Sequence, residues 1–258
     1  MLTSYLQFHW LCLLPVLILS GALVWPEFGN RRSRNALLFI IGAAMIWTTP
    51  WDNLLIALNI WDYPETAVLG RIGYVPVEEY LFFILQPLFV GFLLTGVVAR
   101  WQPAPSRVGK ANMFVAGLWV GITLIGALLI AFPKTRYLGL ILAWAGPVLA
   151  IQTAYGWADI VSLGRRLWPV WVAPTLYFWA ADSWALASGI WRIAPETSTG
   201  LMLGNLPIEE ALFFALTNLM VIQGLVCFHH AVATDWARIR PILQTLRACL
   251  PRTRPFRT

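Results

Sequence analysis

Long apolar runs, separated by short polar connections, dominate the chain. Seven of these runs reach the roughly 20 residues that a helix needs to cross the hydrocarbon core of a bilayer. Most charged residues lie in the connections between them. The pattern predicts an all-α integral membrane protein with seven transmembrane helices. The predicted segments are residues 3–24, 36–60, 76–99, 113–132, 137–159, 170–190 and 207–229.

The third and seventh segments begin with almost the same sequence. Residues 76–83 read Pro-Val-Glu-Glu-Tyr-Leu-Phe-Phe, and residues 207–214 read Pro-Ile-Glu-Glu-Ala-Leu-Phe-Phe. The match continues outside these motifs at a nearly constant spacing, so segments one to three resemble segments five to seven. The further matches include Pro15 with Pro147, Asp52 with Asp182, and Ile60-Trp61 with Ile190-Trp191.

An internal repeat of three helices has a defined consequence for topology. Three crossings would invert a directly fused second copy, whereas a single linker helix restores its orientation. We therefore expect two parallel repeats, residues 1–99 and 133–230, joined by a linker helix in 100–132 and followed by a basic tail, 231–258. Parallel repeats place a binding site at their common interface.

The distribution of charge predicts the orientation. The chain has 258 residues, of which 59% are hydrophobic and only 12% charged, with a net charge of +6. Soluble domains have about twice that charged fraction. Fourteen of the 18 Lys and Arg residues fall on one side of the predicted membrane. The positive-inside rule then puts the N-terminus outside and the C-terminus in the cytoplasm of a multi-pass protein of the cell inner membrane.

The basic tail has two readings that the sequence leaves open. It can lie against anionic lipid head groups, or it can serve only as a topology signal. Because the positive charges follow the membrane topology, we expect membrane lipids and no nucleic acid as partners.

Paired acids open both repeated segments, at Glu78-Glu79 and Glu209-Glu210. Pro followed by Glu is ordinary helix-start chemistry, which explains one acid in each pair. A second acid and a second copy call for a further explanation. Carboxyls that share a low-dielectric site resist ionising together, so one can stay protonated and serve as a Brønsted acid. All four are candidate catalytic residues.

Two further acids, Asp52 and Asp182, lie inside predicted membrane segments. An unpaired carboxylate there is costly, so each should face a polar partner or a cavity. We expect them to orient the glutamates or tune their charge, although a direct catalytic role is equally compatible with the sequence.

Aromatic residues surround the acids. Tryptophan belts are normal at membrane interfaces and need no special explanation. An aromatic, apolar pocket beside acids nevertheless has a distinctive use, because ring quadrupoles stabilise a carbocation without trapping it. The candidate substrate-binding residues are Phe82, Phe83, Phe213, Phe214, Trp51 and Trp184.

Several function classes lack their sequence signals. There is no Gly-x-Gly-x-x-Gly motif, no phosphate loop and no histidine ligand pair within a membrane segment. Lys110 and Lys134, which are the only lysines, lie in connections. This placement excludes a retinal Schiff base on the last helix. We therefore expect neither a cofactor nor a metal.

The duplicated Pro-x-Glu-Glu motif, in a small and Trp-rich membrane protein, resembles the carotenoid lycopene cyclases of the heterodimeric type. The chain looks like their fused single-chain form over residues 1–230. The resemblance implies a redox-neutral isomerisation without a cofactor. A proton adds to the terminal double bond of a linear carotene end, the cation closes a six-membered ring, and proton loss leaves a β-ionone ring. The implied substrate is lycopene, dissolved in the bilayer, and the implied product is β-carotene.

Three alternatives stay open at this point. Parallel three-helix repeats joined by one helix are also the plan of the SWEET sugar transporters, although polar residues at mid-membrane are few here. A related cyclase could form another ring or act on a longer carotenoid. A carotenoid-binding scaffold is a third reading, but it leaves the paired acids unexplained. The resemblance is also compatible with association with other carotenoid-pathway membrane enzymes.

Overall fold

The computed structural model describes residues 2–28, 30–98, 101 and 109–234. Most of these residues are helical. The predicted basic tail lies almost wholly outside the described residues, as do Arg100 and Arg107. The helices are α1 (Tyr5–Phe8), α2 (Leu14–Phe28), α3 (Arg31–Ala57), α4 (Val77–Val98), α5 (Lys110–Leu129), α6 (Arg136–Leu163), α7 (Leu167–Ser188) and α8 (Ile208–Ala233), and a π-helical turn over His9–Leu13 joins α1 to α2.

Six helical segments of the described chain are long and apolar enough to cross a membrane. This confirms the all-α membrane architecture but not the predicted count of seven. The difference arises in one segment, Pro133–Ser188, whose 56 residues take in the predicted fifth and sixth spans. Within it, α6 and α7 are separated by a 3-10 turn over Gly164–Arg166, where Gly164 has a φ of 42°. Residues with a side chain rarely adopt that backbone conformation, whereas glycine does so freely.

Short strands, which the apolar pattern does not predict, occupy the connections before α4 and α8. Each connection forms a two-residue hairpin with glycine at its first turn position, Gly73 or Gly204, at φ 65° and 66°. A tight hairpin turn of this kind favours glycine there. The strands are β1 (Trp61–Asp62), β2 (Arg71–Ile72), β3 (Val75–Pro76), β4 (Arg192–Ile193), β5 (Met202–Leu203) and β6 (Leu206–Pro207).

The two connections also pair with each other. β1 runs antiparallel to β4, with Trp61 opposite Ile193 and Asp62 opposite Arg192. The link between α3 and α4 and the link between α7 and α8 therefore lie side by side at one end of the molecule. This pairing brings the starts of α4 and α8, and with them both Pro-x-Glu-Glu motifs, to the same end.

The hairpins also set where the acidic helices begin. Pro76 ends β3 and Pro207 ends β6, so α4 starts at Val77 and α8 at Ile208. In both motifs proline is therefore the residue before the first helical residue. The predicted segments began at the proline itself, one position earlier. The amide of Val77 donates to the Gly70 carbonyl at 3.0 Å, which ties the helix start to the preceding loop.

Helix α5, the predicted linker, packs along α6 through glycine contacts. A Cβ atom at Gly139 would lie 2.6 Å from the carbonyl oxygen of Gly126, and one at Gly126 would lie 2.7 Å from the backbone nitrogen of Ala143. The two backbones can approach this closely only because the side chains are absent, as is common between membrane helices.

The core centres on α4 and α8. These helices contact each other, α4 also packs on α2, α3 and α7, and α8 also packs on α3, α6 and α7. Each central helix therefore touches elements of both predicted repeats. The largest buried cluster is rich in aromatic residues and surrounds the first turns of α4 and α8.

Candidate active site

Four carboxyl groups line one small cavity near the starts of α4 and α8. Its volume is about 60 Å³, and the acids are Asp52, Glu79, Asp182 and Glu210. Two of them come from each predicted repeat, on corresponding helices. All four side chains are buried. The site is thus a single chamber shared by both halves of the chain.

The structure separates the members of each glutamate pair. Glu79 and Glu210 face the cavity, whereas Glu78 and Glu209 do not line it. Oε1 of Glu78 accepts the Leu69 amide at 2.8 Å, and Oε1 of Glu209 accepts the amide and hydroxyl of Thr199, both at 2.7 Å. The first glutamate of each pair therefore anchors the connection that precedes its helix. Adjacent helical residues point about 100° apart, which permits this division.

Tyrosines hold the two cavity-facing glutamates. The Tyr63 hydroxyl donates to Oε1 of Glu79 and the Tyr137 hydroxyl to Oε1 of Glu210, each at 2.5 Å. Tyr5 is a further hydrogen-bonding partner of Glu79. Burial, and then the neighbouring Glu79 charge, raise the pKa of the Tyr63 phenol well above its usual range. The phenol therefore stays protonated and able to donate.

The two aspartates differ in how they are held. Asp182 accepts the Trp191 indole N–H at 2.8 Å. Asp52 is fully buried, and neither of its oxygens has a hydrogen-bond partner within the described part of the chain. Both aspartates interact electrostatically with Glu79 and Glu210. An unpaired buried carboxylate is strongly disfavoured, so Asp52 suits either a neutral, protonated acid or a cavity that a substrate fills.

Aromatic rings form much of the chamber wall. The four predicted phenylalanines all line it, together with rings that the sequence analysis did not single out for the site. Phe178 stacks on Phe214 with centroids 5.3 Å apart, and Phe82 meets Phe178 edge to face at 5.7 Å. The lining rings are Phe8, Phe82, Phe83, Phe213, Phe214, Tyr5, Tyr63, Trp61, Trp144 and Trp191.

The two tryptophans predicted to bind substrate fare differently. Trp51 does not line the chamber but supports its wall, since it stacks on Trp144 at 4.5 Å and on Phe213 at 5.6 Å. Trp184 is 43% exposed and lies away from the chamber. It sits on the outer face of α7, two residues after Asp182, and so points about 200° away from it around the helix.

The tyrosines are the site residues that sequence reasoning missed. Tyr5 and Tyr137 occupy corresponding positions of the two repeats, at the same spacing as Pro15 and Pro147. The occurrence of tyrosine at both positions is therefore a signal by which the sequence could have indicated these two site residues. Tyr63 has no such signal, because its counterpart in the second repeat is Ile193.

The chamber can move protons in an apolar setting. It offers four carboxyls, two phenols and aromatic faces, and no Lys, Arg or His occurs among the described residues that line it. Without a fixed positive charge, the acids cannot all be ionised at once. At least one carboxyl therefore keeps a proton that it can donate, and the carboxylate left behind can accept one, beside rings that can stabilise a cation.

The chain matches a known protein family. The family model described as Lycopene cyclase matches residues 3–97 and 137–228. These two ranges cover the helices of both predicted repeats and leave out α5. No solved structure matches the chain.

Individual relatives agree with the family match. The chain is 40% identical to a lycopene beta-cyclase of Halobacterium salinarum, over 90% of this chain and 99% of that protein. It is 33% identical to a bifunctional lycopene cyclase/phytoene synthase of Arthroderma gypseum, over 89% of this chain and 42% of that protein. A bifunctional protein of the same description from Sporisorium reilianum is 36% identical, over 89% of this chain and 35% of that protein.

Proposed function

Because the chain belongs to the lycopene cyclase family, we propose that it is a lycopene beta-cyclase that converts the linear ends of lycopene to β-ionone rings. The observation that best supports this function is the shared chamber, in which four buried carboxyls face aromatic walls. An apolar substrate that is already dissolved in the bilayer suits such a site.

The reaction begins with one proton transfer and ends with another. A carboxyl group donates a proton to the terminal double bond of the substrate end, which leaves a tertiary carbocation. An internal double bond attacks that cation, a carbon–carbon bond closes the six-membered ring, and the charge moves onto the ring. A carboxylate then removes a ring proton and restores a double bond. One proton enters and one leaves, so substrate and product are isomers.

Glu79 and Glu210 are the proposed proton donor and acceptor. Both face the chamber and both are held by phenol hydrogen bonds, Glu79 by Tyr63 and Tyr5 and Glu210 by Tyr137. These donors orient each carboxyl within the chamber. Glu78 and Glu209 take no part in proton transfer under this proposal. Each uses its Oε1 atom to bind the connection before its helix, and neither lines the chamber.

Asp52 and Asp182 have a supporting role in the proposal. Their interactions with both glutamates make the ionisation of the four acids interdependent. When one glutamate gives up its proton, a neighbouring aspartic acid can remain neutral and limit the charge that accumulates in the chamber. The phenylalanine rings shield the intermediate cation from water and stabilise it through their faces.

The proposed membrane arrangement keeps seven crossings. The segment Pro133–Ser188 would be about 84 Å long as one helix, far more than the roughly 30 Å of the hydrocarbon core. We therefore infer that it crosses twice and turns at Gly164. The chain then comprises repeat 1–99, linker 100–132, repeat 133–230 and tail 231–258, with the N-terminus outside and the C-terminus in the cytoplasm.

The inferred partners are lycopene and membrane lipids. The two fungal relatives are bifunctional lycopene cyclase/phytoene synthases, so one chain carries both activities. That fusion supports an association between this protein and a separate membrane enzyme of the same pathway.

Expression in a bacterium that accumulates lycopene tests the function. We expect the pigment to shift from red to orange and chromatography to show a product with β-ionone rings. Unchanged lycopene, with the full-length protein confirmed in the membrane fraction, would contradict the proposal. A reporter fused to the C-terminus tests the orientation and should be active in the cytoplasm.

A further inference from the structure

A second, larger cavity adjoins the acid chamber. Its volume is about 340 Å³, against about 60 Å³ for the chamber. The two share five lining residues, so they adjoin each other across these side chains. The shared residues are Ala44, Thr48, Gln86, Trp144 and Thr217.

This cavity runs along the bundle between α3, α6 and α8. Its lining on α3 extends from Ile40 to Thr48, about 12 Å at the helical rise. Most of the lining is apolar, and two of its polar side chains bond to protein. The Gln152 amide donates to the Met220 carbonyl at 2.9 Å, and the Gln86 amide donates to Asn218 at 2.7 Å.

One side of the cavity opens onto the outer surface of the bundle. Ile46 and Trp47 line it and are 78% and 44% exposed. Both lie in the middle of α3, where the outer surface of a membrane-spanning helix faces lipid. The opening therefore leads sideways into the hydrocarbon region, which is where an apolar substrate dissolves.

We propose that this cavity is the binding channel for the linear polyene chain of the substrate while its end group occupies the acid chamber. The inference rests on the proposed function. Three observations support it: the shared lining, the apolar walls and the opening to lipid. A long polyene can then enter from the bilayer end first and reach the acids without passing through water.

The two repeats are not equivalent at this channel. By the spacing of the repeats, Thr48 corresponds to Phe178, Ala44 to Pro174 and Met220 to Phe89. On the second side Phe89 and Phe178 meet edge to face at 5.9 Å. Phe89 and Phe178 thus carry rings where their counterparts Met220 and Thr48 carry none.

This asymmetry has a consequence for the order of reaction. With the channel on one side, a substrate with two linear ends presents them one at a time. The monocyclic intermediate must withdraw and re-enter with its other end. We therefore expect the monocyclic intermediate to appear before the bicyclic product. When the substrate is isotope-labelled lycopene, added unlabelled intermediate should exchange with the labelled intermediate and dilute the label in the bicyclic product.

Protection of a cysteine tests the channel with little disturbance of packing. Val148→Cys places a thiol in the channel, and Ile151→Cys places one on the lipid-facing side of the same helix, where Ile151 is 71% exposed. Both are made after replacing the native cysteines Cys12, Cys227 and Cys249 with Ala. In lipid vesicles, lycopene should slow labelling of Val148→Cys by an apolar maleimide several-fold and leave Ile151→Cys unaffected.

A blocking substitution gives the second measurement. Thr48→Phe copies the ring present at Phe178 and should lower the turnover of lycopene by at least about tenfold, the equivalent of roughly 1.4 kcal/mol. Leu38→Phe adds the same ring to an exposed position of α3 and should leave turnover unchanged. If Thr48→Phe fails to insert, the labelling comparison decides alone.

The possible outcomes distinguish a failure of the channel proposal from a failure of the proposed cyclase function. If the wild-type protein cyclises lycopene but Val148→Cys is not protected, the channel proposal is overturned and the function stands. If Val148→Cys is protected but no ring forms, lycopene binds as proposed and the cyclase function is overturned. Normal turnover by an inserted Thr48→Phe variant would also contradict the channel.

Discussion

In each glutamate pair, the second residue faces the chamber and the first binds the preceding connection. The same Glu→Gln substitution at the two positions therefore compares these two roles. Glu79→Gln and Glu210→Gln each remove a proton-transferring carboxyl from the chamber while keeping the side-chain size. Glu78→Gln and Glu209→Gln make the same chemical change one residue earlier. The glutamine oxygen can still accept the Leu69 amide in the first of these controls. The four variants differ mainly in which side of the helix loses its acid.

The expected losses of turnover follow from the proposed roles of the four glutamates. General acid–base groups typically contribute 10²- to 10⁴-fold to rate, so Glu79→Gln and Glu210→Gln should each reduce turnover by at least about 100-fold. Glu78→Gln and Glu209→Gln should stay within about tenfold of the wild type, because a hydrogen bond is retained. Truncation at the same position, Glu78→Ala, leaves the Leu69 amide without its partner and should cost about 1–3 kcal/mol of stability.

The assay is the initial rate of ring formation from lycopene in vesicles, normalised to the inserted protein. The thermal midpoint of each variant serves as a folding control. The reasoning is refuted if Glu78→Gln loses as much activity as Glu79→Gln at an unchanged midpoint. It is also refuted if Glu79→Gln and Glu210→Gln both retain full activity.

Three further substitutions test other parts of the structure. Tyr137→Phe removes the phenol that donates to Glu210 and should slow turnover by roughly tenfold to 100-fold, since hydrogen bonds to charged groups are worth about 1.5–3 kcal/mol. The rate of ring formation relative to the wild type measures this effect. Tyr63→Phe should slow turnover to a similar degree, because each glutamate keeps one further partner, Tyr5 for Glu79 and Trp61 for Glu210. Gly139→Leu should push α5 away from α6 at Gly126 and lower the thermal midpoint, whereas activity at low temperature should persist if the linker helix stays clear of the chamber.

The fold was largely predictable because membrane crossings follow from local hydropathy. The predicted segments coincide with the long helices, although Pro133–Ser188 forms one candidate span where two were expected. The hairpins before α4 and α8 were missed, since strands of two residues leave no periodic pattern. Their glycines, Gly73 and Gly204, are the sequence signal for them.

The site was predictable only in part. Duplication pointed to the acids, and the structure brings Asp52, Asp182 and the second glutamate of each pair into one chamber. Which glutamate faces inward depends on the rotation of α4 and α8, and spacing along the chain does not fix that rotation. Tyr63 reaches Glu79 only because a connection folds over the helix start, which is a tertiary contact.

The channel was beyond prediction for a related reason. Its existence depends on differences between repeats, such as Thr48 against Phe178, whereas a repeat is recognised by its similarities. Residues on α3, α6 and α8 form the walls together, and no single segment shows the cavity in its own pattern.

Cyclisation in D₂O tests the central claim most directly. The purified protein, equilibrated in D₂O in lipid vesicles and given lycopene without added cofactor, should form product that is isomeric with the substrate and contains one deuterium for each ring. That label marks the proton donated by an exchangeable carboxyl at the start of the reaction. A ringed product without deuterium, or one that differs from lycopene by the gain or loss of two hydrogens, would contradict the account.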